Sequence, residues 1–402
     1  MKAYTMNAKF LTASVMLALA SMTASAATLV GEGATLPGIA YTGGTATPKT
    51  LTPTSGVNSV FGAFAQATSN TVTYSQTGSG AGKTALNNNT GAFAATDSPL
   101  TQANYTAFLS SAAVTTGNHV APVQVPAIAG SIAIVFNNPD IAAGVTPNLT
   151  SVQVARIFSG QYTNWNQLGL GLPSRAITVV ARGSGSGTTF GFVNHLNAIG
   201  GLAAGKYFSV KELFSDAVAT AQVTGFTFTA ASSNADVVSK VNSITGAIGY
   251  AEAANATAVR FTTVNSQHPL TGFASPKTIA ASNVLTDNAI TGVQTSTDPN
   301  PGRATYAVLT GVPSGSSGYV KLIKPESYAN PGSGYPIQAI SYLLGYRANN
   351  TNVSEVRSLL KVPSDTSYRT TTTTDPKYVS TVVGQGFAWL DGINTTFLNG
   401  IN

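Results

Sequence analysis

Residues 177–196 read ITVVARGSGSGTTFGFVNHL and combine a β-rich run, a turn of small residues and a stretch of helical period. The run is Ile177–Ala181 and the helical stretch is Thr188–Leu196. The same alternation recurs along the chain. Further β-rich runs are Thr71–Ser75, Ser131–Phe136 and Ala247–Tyr250, and a further helical stretch is Val152–Phe158. This order predicts an α/β fold with a largely parallel sheet.

The first 26 residues have the features of a secretory signal peptide. Lys2 and Lys9 precede the apolar run Phe10–Ala20, and the small residues Ala24–Ala26 follow it. We therefore expect cleavage after Ala26. No later run approaches the roughly 20 apolar residues of a membrane helix, and the chain has no cysteine for a lipid anchor. The sequence predicts a protein without a membrane anchor, either periplasmic or secreted.

The amino-acid composition argues against several classes of function. The 402 residues carry a formal net charge of +6, but only 8% of them are charged. The basic residues are scattered singly from Lys49 to Lys377, which argues against a nucleic-acid partner. Without cysteine there is no disulfide framework and no thiolate metal site. The length favours two folding units, and Val264–Asn330, rich in Pro, Gly, Ser and Thr, is expected to form loops and short elements.

Four turns of small residues are candidate anion sites. A turn that leads from a strand into a helix leaves backbone N–H groups without partners, and glycine lets a ligand approach them. Taken singly, each of these turns is as well explained as an ordinary strand-to-helix connection. The turns are Gly33–Pro37, Thr77–Gly82, Ala95–Pro99 and Arg182–Thr188.

Asp97 and Arg182 indicate anion binding more specifically than the turns do. Asp97 is the only acidic residue between Glu32 and Asp140, and it either caps a turn or accepts a proton from a bound anion. Phosphate carries such a proton at neutral pH, whereas sulfate does not. Arg182 follows a predicted strand, where its forked guanidinium could bind the same anion or form a surface ion pair.

Catalytic patterns are weak in this chain. His119, His195 and His268 lie far apart and show no metal-ligand spacing, and no Gly-x-Ser-x-Gly motif is present. The stretch Gly78–Thr84 ends in Gly-Lys-Thr, but Thr77 stands where a nucleotide-binding loop requires its first glycine. We expect no cofactor and no metal site.

Nine motifs, in order along the chain, resemble the periplasmic phosphate-binding proteins of ABC phosphate importers and their secreted relatives, the DING proteins. Each motif is unspecific by itself, but their number and order make the set specific. They are Gly31–Pro37, Tyr74–Gly82, Phe93–Leu100, Val125–Asn137, Ile157–Gly160, Asn164–Asn166, Val179–Thr189, Gly246–Tyr250 and Tyr335–Ile337.

The resemblance implies an α/β, two-lobed type 2 periplasmic-binding-protein fold with the ligand cleft between the lobes. It implies a first lobe made of residues 27–136 and 342–402 and a second lobe made of residues 137–341. The phosphate-binding residues that it implies are Thr35, Leu36, Ser79, Asp97, Arg182, Ser186, Gly187 and Thr188. Family members usually carry an acid two residues after the arginine, where this chain has Ser184.

The function implied by the resemblance is capture of inorganic phosphate by a monomer and its delivery to an ABC permease. An alternative is a secreted alkaline phosphatase-like protein, because some relatives are described as alkaline phosphatases, or an extracellular phosphate-scavenging protein of the same family. A third is a matrix or adhesion component, for which only the Thr- and Asn-rich composition speaks.

Overall fold

The computed structural model describes residues 26–273, 276–382 and 384–402. The predicted signal peptide, apart from Ala26, lies outside the described residues and stays a prediction. Within the described part, no helix combines the length and the apolar character that crossing a bilayer requires.

The strands and helices alternate along most of the chain. The strands are Thr28–Gly33 (β1), Lys49–Leu51 (β2), Thr71–Ser75 (β3), Phe93–Thr96 (β4), Pro122–Asn137 (β5), Asn148–Leu149 (β6), Thr178–Arg182 (β7), Thr229–Ala231 (β8), Ala247–Glu252 (β9), Arg260–Phe261 (β10), Thr263–Val264 (β11), Lys277–Thr278 (β12), Val284–Thr286 (β13), Asn288–Val293 (β14), Ala304–Val308 (β15), Lys321–Ile323 (β16), Gln338–Tyr346 (β17) and Phe387–Asp391 (β18). The α-helices are Gly38–Thr42 (α1), Val60–Thr68 (α2), Ser79–Asn88 (α3), Gln102–Leu109 (α4), Ala112–Thr115 (α5), Ser151–Phe158 (α6), Gly187–Ile199 (α7), Phe214–Val218 (α8), Asn234–Ser243 (α9), Glu326–Ala329 (α10) and Val353–Lys361 (α11). Short 3-10 helices are Trp165–Leu168, Asn255–Ala258, Ala281–Asn283, Val362–Ser364, Thr366–Arg369 and Thr396–Gly400.

One large sheet organises the molecule, with the main strand order β2-β3-β1-β4-β17-β5-β9-β7-β8. We call β1–β4 with α1–α5 the first half, and β7–β9 with α6–α9 the second half. Within each half, the pairs β1/β3, β1/β4, β7/β8 and β7/β9 are parallel. The predicted α/β class is confirmed.

The centre of the sheet differs from the predicted parallel arrangement. There β17 runs antiparallel to both β4 and β5, and β5 runs antiparallel to β9. The prediction of a largely parallel sheet is wrong for these strands. The reason is that a strand buried on both faces shows a continuous apolar run whatever its direction.

Strand β5 belongs to both halves. Its residues 122–131 pair with β17, and Ile132–Asn137 pair with β9 in the second half. The sequence predicted a β-rich run over Ser131–Phe136; the strand is longer than predicted, and all of its residues except the last, Asn137, are buried. The predicted lobe boundaries, 136/137 and 341/342, fall at the end of β5 and inside β17, and the division into lobes stays a prediction.

An aromatic cluster supports the site loops in each half. In the first half Tyr41, Phe61 and Tyr74 pack together, and the Tyr74 hydroxyl donates to the carbonyl of Ala34. In the second half Phe192 stacks on Tyr250 with ring centroids 4.3 Å apart. These two aromatic groups, which belong to one hydrophobic core, therefore support the loops that follow β1 and β7.

The weakly patterned stretch between residues 264 and 330 forms short strands, as expected. Two antiparallel pairs, β13/β16 and β14/β15, lie in this stretch. It contacts both halves: Ile290 pairs with Thr101 of the first half, and the carbonyl of Gly302 accepts from the Val210 backbone N–H of the second.

Candidate anion-binding site

The four turns of small residues meet at one place between the two halves. Each connects a strand to a helix: β1 to α1, β3 to α3, β4 to α4, and β7 to α7. The eight predicted binding residues are all buried, and Thr35, at 5% exposed, has the most exposed side chain among them. The sequence prediction that these residues converge therefore agrees with the geometry, while their role in binding stays a prediction.

Ser79 joins the two halves. Its Oγ accepts from the backbone N–H of Asp97 at 3.0 Å and from the backbone N–H of Gly187 at 3.1 Å. Its hydroxyl lies 3.4 Å from Asp97 Oδ2. One small hydroxyl at the start of α3 thus contacts the end of β4 in its own half and the start of α7 in the other.

Arg182 is a buried cation, and some of its N–H donors have no hydrogen-bond partner. Its Nη1 donates to Thr35 Oγ1 at 3.3 Å and to Ser186 Oγ at 3.0 Å, while Nε and Nη2 are buried without a partner. Within the described part of the chain, none of the ion pairs includes Arg182. Burial lowers the pKa of its guanidinium from the usual value. An unpaired buried N–H of a charged group is costly, so this donor set calls for an anion.

Asp97 supplies the complementary acceptor. Its carboxyl is 1% exposed, and Oδ1 is buried without a hydrogen-bond partner. Burial raises the pKa of Asp97 to about 7, although the hydroxyls of Ser341 and Ser79 and the charge of Arg182 act in the opposite direction. A carboxyl with this pKa can be either ionised or protonated near neutral pH, and it can accept a hydrogen bond when ionised.

The start of α7 needs glycine at position 187. Ser186 caps this helix by accepting from the Thr189 backbone N–H at 3.2 Å. A Cβ added to Gly187 would lie 2.3 Å from the Cβ of Asp97, closer than real atoms approach. The absence of a side chain therefore lets the positive end of α7 approach the Asp97 turn of the other half.

Comparison with known proteins identifies the family to which the chain belongs. A family model described as a PBP superfamily domain matches residues 46–322. The chain belongs to the PBP superfamily.

Relatives within this superfamily match only part of the chain. Alkaline phosphatase L of Pseudomonas aeruginosa is 32% identical over 184 residues, which are 44% of this chain and 48% of the relative. Phosphate-binding protein PstS of Pasteurella multocida is 35% identical over 143 residues, 34% of this chain and 38% of the relative. The matched stretches thus span less than half the length of these curated relatives.

A solved structure extends the likeness of fold to nearly the whole chain. The phosphate-binding protein from Stenotrophomonas maltophilia superposes with a TM-score of 0.59 at 24% identity, covering 93% of this chain and 92% of that one. The predicted fold class, that of the type 2 periplasmic binding proteins, is confirmed, as is the resemblance drawn from the sequence motifs.

Three further residues of the candidate site were missed by the sequence analysis. The Tyr250 hydroxyl accepts from the Arg182 backbone N–H at 3.2 Å, Asn234 Nδ2 donates to Thr188 Oγ1 at 3.3 Å, and Ser341 lies beside Asp97. Asn234 Oδ1 is also buried without a partner. Tyr250 lies in a motif that supported the resemblance, but Asn234 and Ser341 belong to no local pattern.

The residues considered for other chemistry lie in other environments. His195 is buried between the carbonyl of Ala329 and the hydroxyl of Ser151, and His119 contacts Asn89 and Ala348. Within residues 26–273, 276–382 and 384–402, no group of three His, Asp or Glu side chains is arranged to hold a metal ion. Ser184 is exposed, so position 184 supplies no partner to Arg182.

Proposed function

We propose that this chain is an exported solute-binding protein that captures inorganic phosphate between its two halves. The observation that carries the proposal is the set of buried polar atoms without partners, Arg182 Nε, Arg182 Nη2 and Asp97 Oδ1. Two donors and one acceptor fit an anion that has several acceptor oxygens and one O–H group. Phosphate is such an anion at neutral pH.

Thr35, Leu36, Ser79 and the start of α7 complete the proposed binding set. The hydroxyls of Thr35 and Ser186 already accept from Arg182, so both can turn their O–H groups toward the anion. The backbone N–H of Thr188 at the helix start adds a donor that favours negative charge. Those of Gly187 and Leu36 would exchange their present acceptors, Ser79 Oγ and the Asp97 carboxyl, for the anion.

The relatives support the physiological context. Those named phosphate-binding protein PstS favour delivery of the anion to an ABC permease, and they favour a periplasmic or secreted location. A monomer suffices for this mechanism, because both halves of the site come from one chain.

Calorimetric titration of the phosphate-free protein tests the proposal. Above pH 7, where Asp97 is ionised, we expect phosphate to bind and sulfate to bind far more weakly, because sulfate leaves the Asp97 carboxylate beside a like charge with no proton to share. In Asp97→Asn the phosphate-to-sulfate affinity ratio should fall about tenfold or more. Equal affinity for both anions in the unsubstituted protein, or an unchanged ratio in Asp97→Asn, would contradict it.

A phosphatase is the second candidate, favoured by the relative named Alkaline phosphatase L. In that case the same site would hold a phosphate ester. Hydrolysis of p-nitrophenyl phosphate, measured with and without added divalent metal ions, distinguishes the two candidates. Turnover that disappears in Asp97→Asn or Arg182→Gln would favour the enzyme, whereas anion binding without turnover favours the binding protein.

A further inference from the structure

An ion pair joins the two halves beside the anion site. Lys83 of α3, in the first half, donates to Glu212 Oε1, which lies between α7 and α8 in the second half. The side chain of Lys83 is 6% exposed and that of Glu212 is 25% exposed. The other ion pairs among the described residues, Arg175–Asp140, Lys240–Asp236 and Arg369–Asp391, do not join the first half to the second.

The same carboxylate also holds the turn that carries Asp97. The Ser98 hydroxyl donates to Glu212 Oε1 at 2.6 Å, and Lys83 Nζ donates to Ser98 Oγ at 3.1 Å and to the Pro99 carbonyl at 3.3 Å. Ser98 follows Asp97 directly. Movement of Glu212 would therefore remove the hydrogen bond that ties the second half to the turn that positions the Asp97 carboxyl.

Glu212 is equally tied to the other side of the site. Its backbone carbonyl accepts from the Ser186 N–H at 3.1 Å, and Ser186 caps α7 and accepts from Arg182. Lys83 lies one helical turn after Ser79 in α3. Lys83 is thus connected to Asp97 through Ser98, and Glu212 is connected to Arg182 through Ser186. The pair is linked in this way to proposed phosphate-binding groups of both halves.

The pair gains its strength only when the halves meet. Two opposite charges attract each other weakly in water and strongly when they are largely shielded from solvent. Removing one of them then destabilises the closed arrangement, because the other charge is left without a partner. Burial raises the pKa of Glu212, yet the charge of Lys83 and the hydrogen bonds from Lys83 and Ser98 outweigh it and hold the pKa below its usual value. Glu212 is therefore ionised and available to the pair at neutral pH.

We propose that Lys83 and Glu212 are a latch that holds the two halves closed over the anion, so that this pair sets the rate of phosphate release. Both are positioning residues, since neither needs to touch phosphate. The proposal rests on the proposed function for its ligand. Breaking a largely buried charge pair acts mainly on dissociation, so association should change little.

Stopped-flow release of phosphate tests the latch. Glu212→Gln and Lys83→Met should each release phosphate roughly 10-fold to 100-fold faster than the unsubstituted protein, with a nearly unchanged association rate. The double variant should be little faster than either single variant, because both changes remove the same interaction. Lys83→Arg, which keeps the charge, should restore most of the slow release. Asp140→Asn breaks an ion pair inside the second half and should leave release unchanged.

A distance measurement separates failure of the latch from failure of the proposed ligand. The chain has no cysteine, so spin labels can be attached at two exposed positions. These are Val30→Cys, in β1 of the first half, and Val145→Cys, in the loop that leads from β5 toward α6 of the second half. Glu212→Gln should broaden the label distance toward longer values. If the unsubstituted protein binds no phosphate but Glu212→Gln still lengthens this distance, the proposed function fails and the latch stands. Unchanged release and unchanged distance in Glu212→Gln would overturn the latch.

Discussion

The Asp97 carboxyl makes the stability of the folded protein depend on pH. Its pKa is about 7 in the folded protein, against an ordinary value of 3.8, because burial disfavours the ionised form. The folded protein therefore holds this proton over a pH range in which the unfolded chain has lost it. The stabilisation is fully present below about pH 4 and is lost as the pH rises through about 7.

The phosphate-free protein should lose stability between about pH 4 and pH 8. At about 1.4 kcal/mol per pH unit, the contribution of Asp97 over its whole window is on the order of 4 kcal/mol. Glu252, whose burial raises its pKa to about 8, adds a change of the same sign. In Asp97→Asn the share due to Asp97 should vanish and the share due to Glu252 should remain.

Urea unfolding of the phosphate-free proteins at several pH values measures this difference. The same pH dependence in Asp97→Asn and in the unsubstituted protein would contradict the assignment. Adding phosphate should flatten the dependence in the unsubstituted protein, since the bound anion supplies the hydrogen bond that the ionised carboxylate lacks.

Residue chemistry could be predicted where the residue lies in a local pattern. Asp97 and Arg182 were found because each stands alone in a chain poor in charge, next to a turn of small residues. Glu212 gave no such signal, since its partner Lys83 is 129 positions away and only the closed arrangement of the halves brings them together. Lys83 itself was noticed for a nucleotide-binding pattern, whereas its contacts are to Glu212 and Ser98.

Among the elements, helix α7 places its first turn against the opposite half at a point with no room for a methyl group. The clash of a Cβ at Gly187 is with the Cβ and backbone of Asp97, which cannot swing aside as the end of a flexible side chain could. Gly187→Ala should therefore weaken phosphate binding roughly 10-fold to 100-fold by keeping the halves apart. Its own half should still fold.

A glycine in open space provides the control for this prediction. A Cβ at Gly332 meets nothing within 4 Å, and its backbone does not require glycine, so Gly332→Ala should bind phosphate normally. Both dissociation constants can be measured by calorimetry, with circular dichroism to confirm folding. Normal affinity in Gly187→Ala would show that the approach of α7 to Asp97 is not needed for binding.

Element positions were predictable to within a few residues, whereas element directions were not. Thr71–Ser75 is a strand with the predicted bounds, and the predicted helix Val152–Phe158 begins one residue earlier, at Ser151. Local periodicity determines these bounds. The antiparallel pairing of β5 with β17 depends on residues more than 200 positions apart, and no local pattern encodes it.

In the whole molecule, the proposed anion site is closed on all sides. Ser79, Asp97, Arg182, Ser186 and Thr188 are each 1% exposed, so phosphate cannot enter or leave without separation of the halves. Strands β5 and β17 run through the sheet between the halves, and they are the segments about which such a separation would pivot. Exchange of the anion should therefore require movement of whole halves rather than of single side chains.

A disulfide across the cleft tests this requirement. A Cβ added to Gly80 lies 3.8 Å from the Cα of Gly185, and a Cβ added to Gly185 lies 3.9 Å from the Cα of Gly80. This proximity suits a disulfide, and the chain has no other cysteine to interfere.

The double variant Gly80→Cys/Gly185→Cys, oxidised in radiolabelled phosphate, should retain the label through gel filtration and release it on reduction. The variant oxidised without phosphate should take up none until reduced, and each single variant should exchange phosphate freely. Free exchange in the oxidised double variant, with the disulfide verified by thiol titration, would show that phosphate reaches its site without opening of the halves.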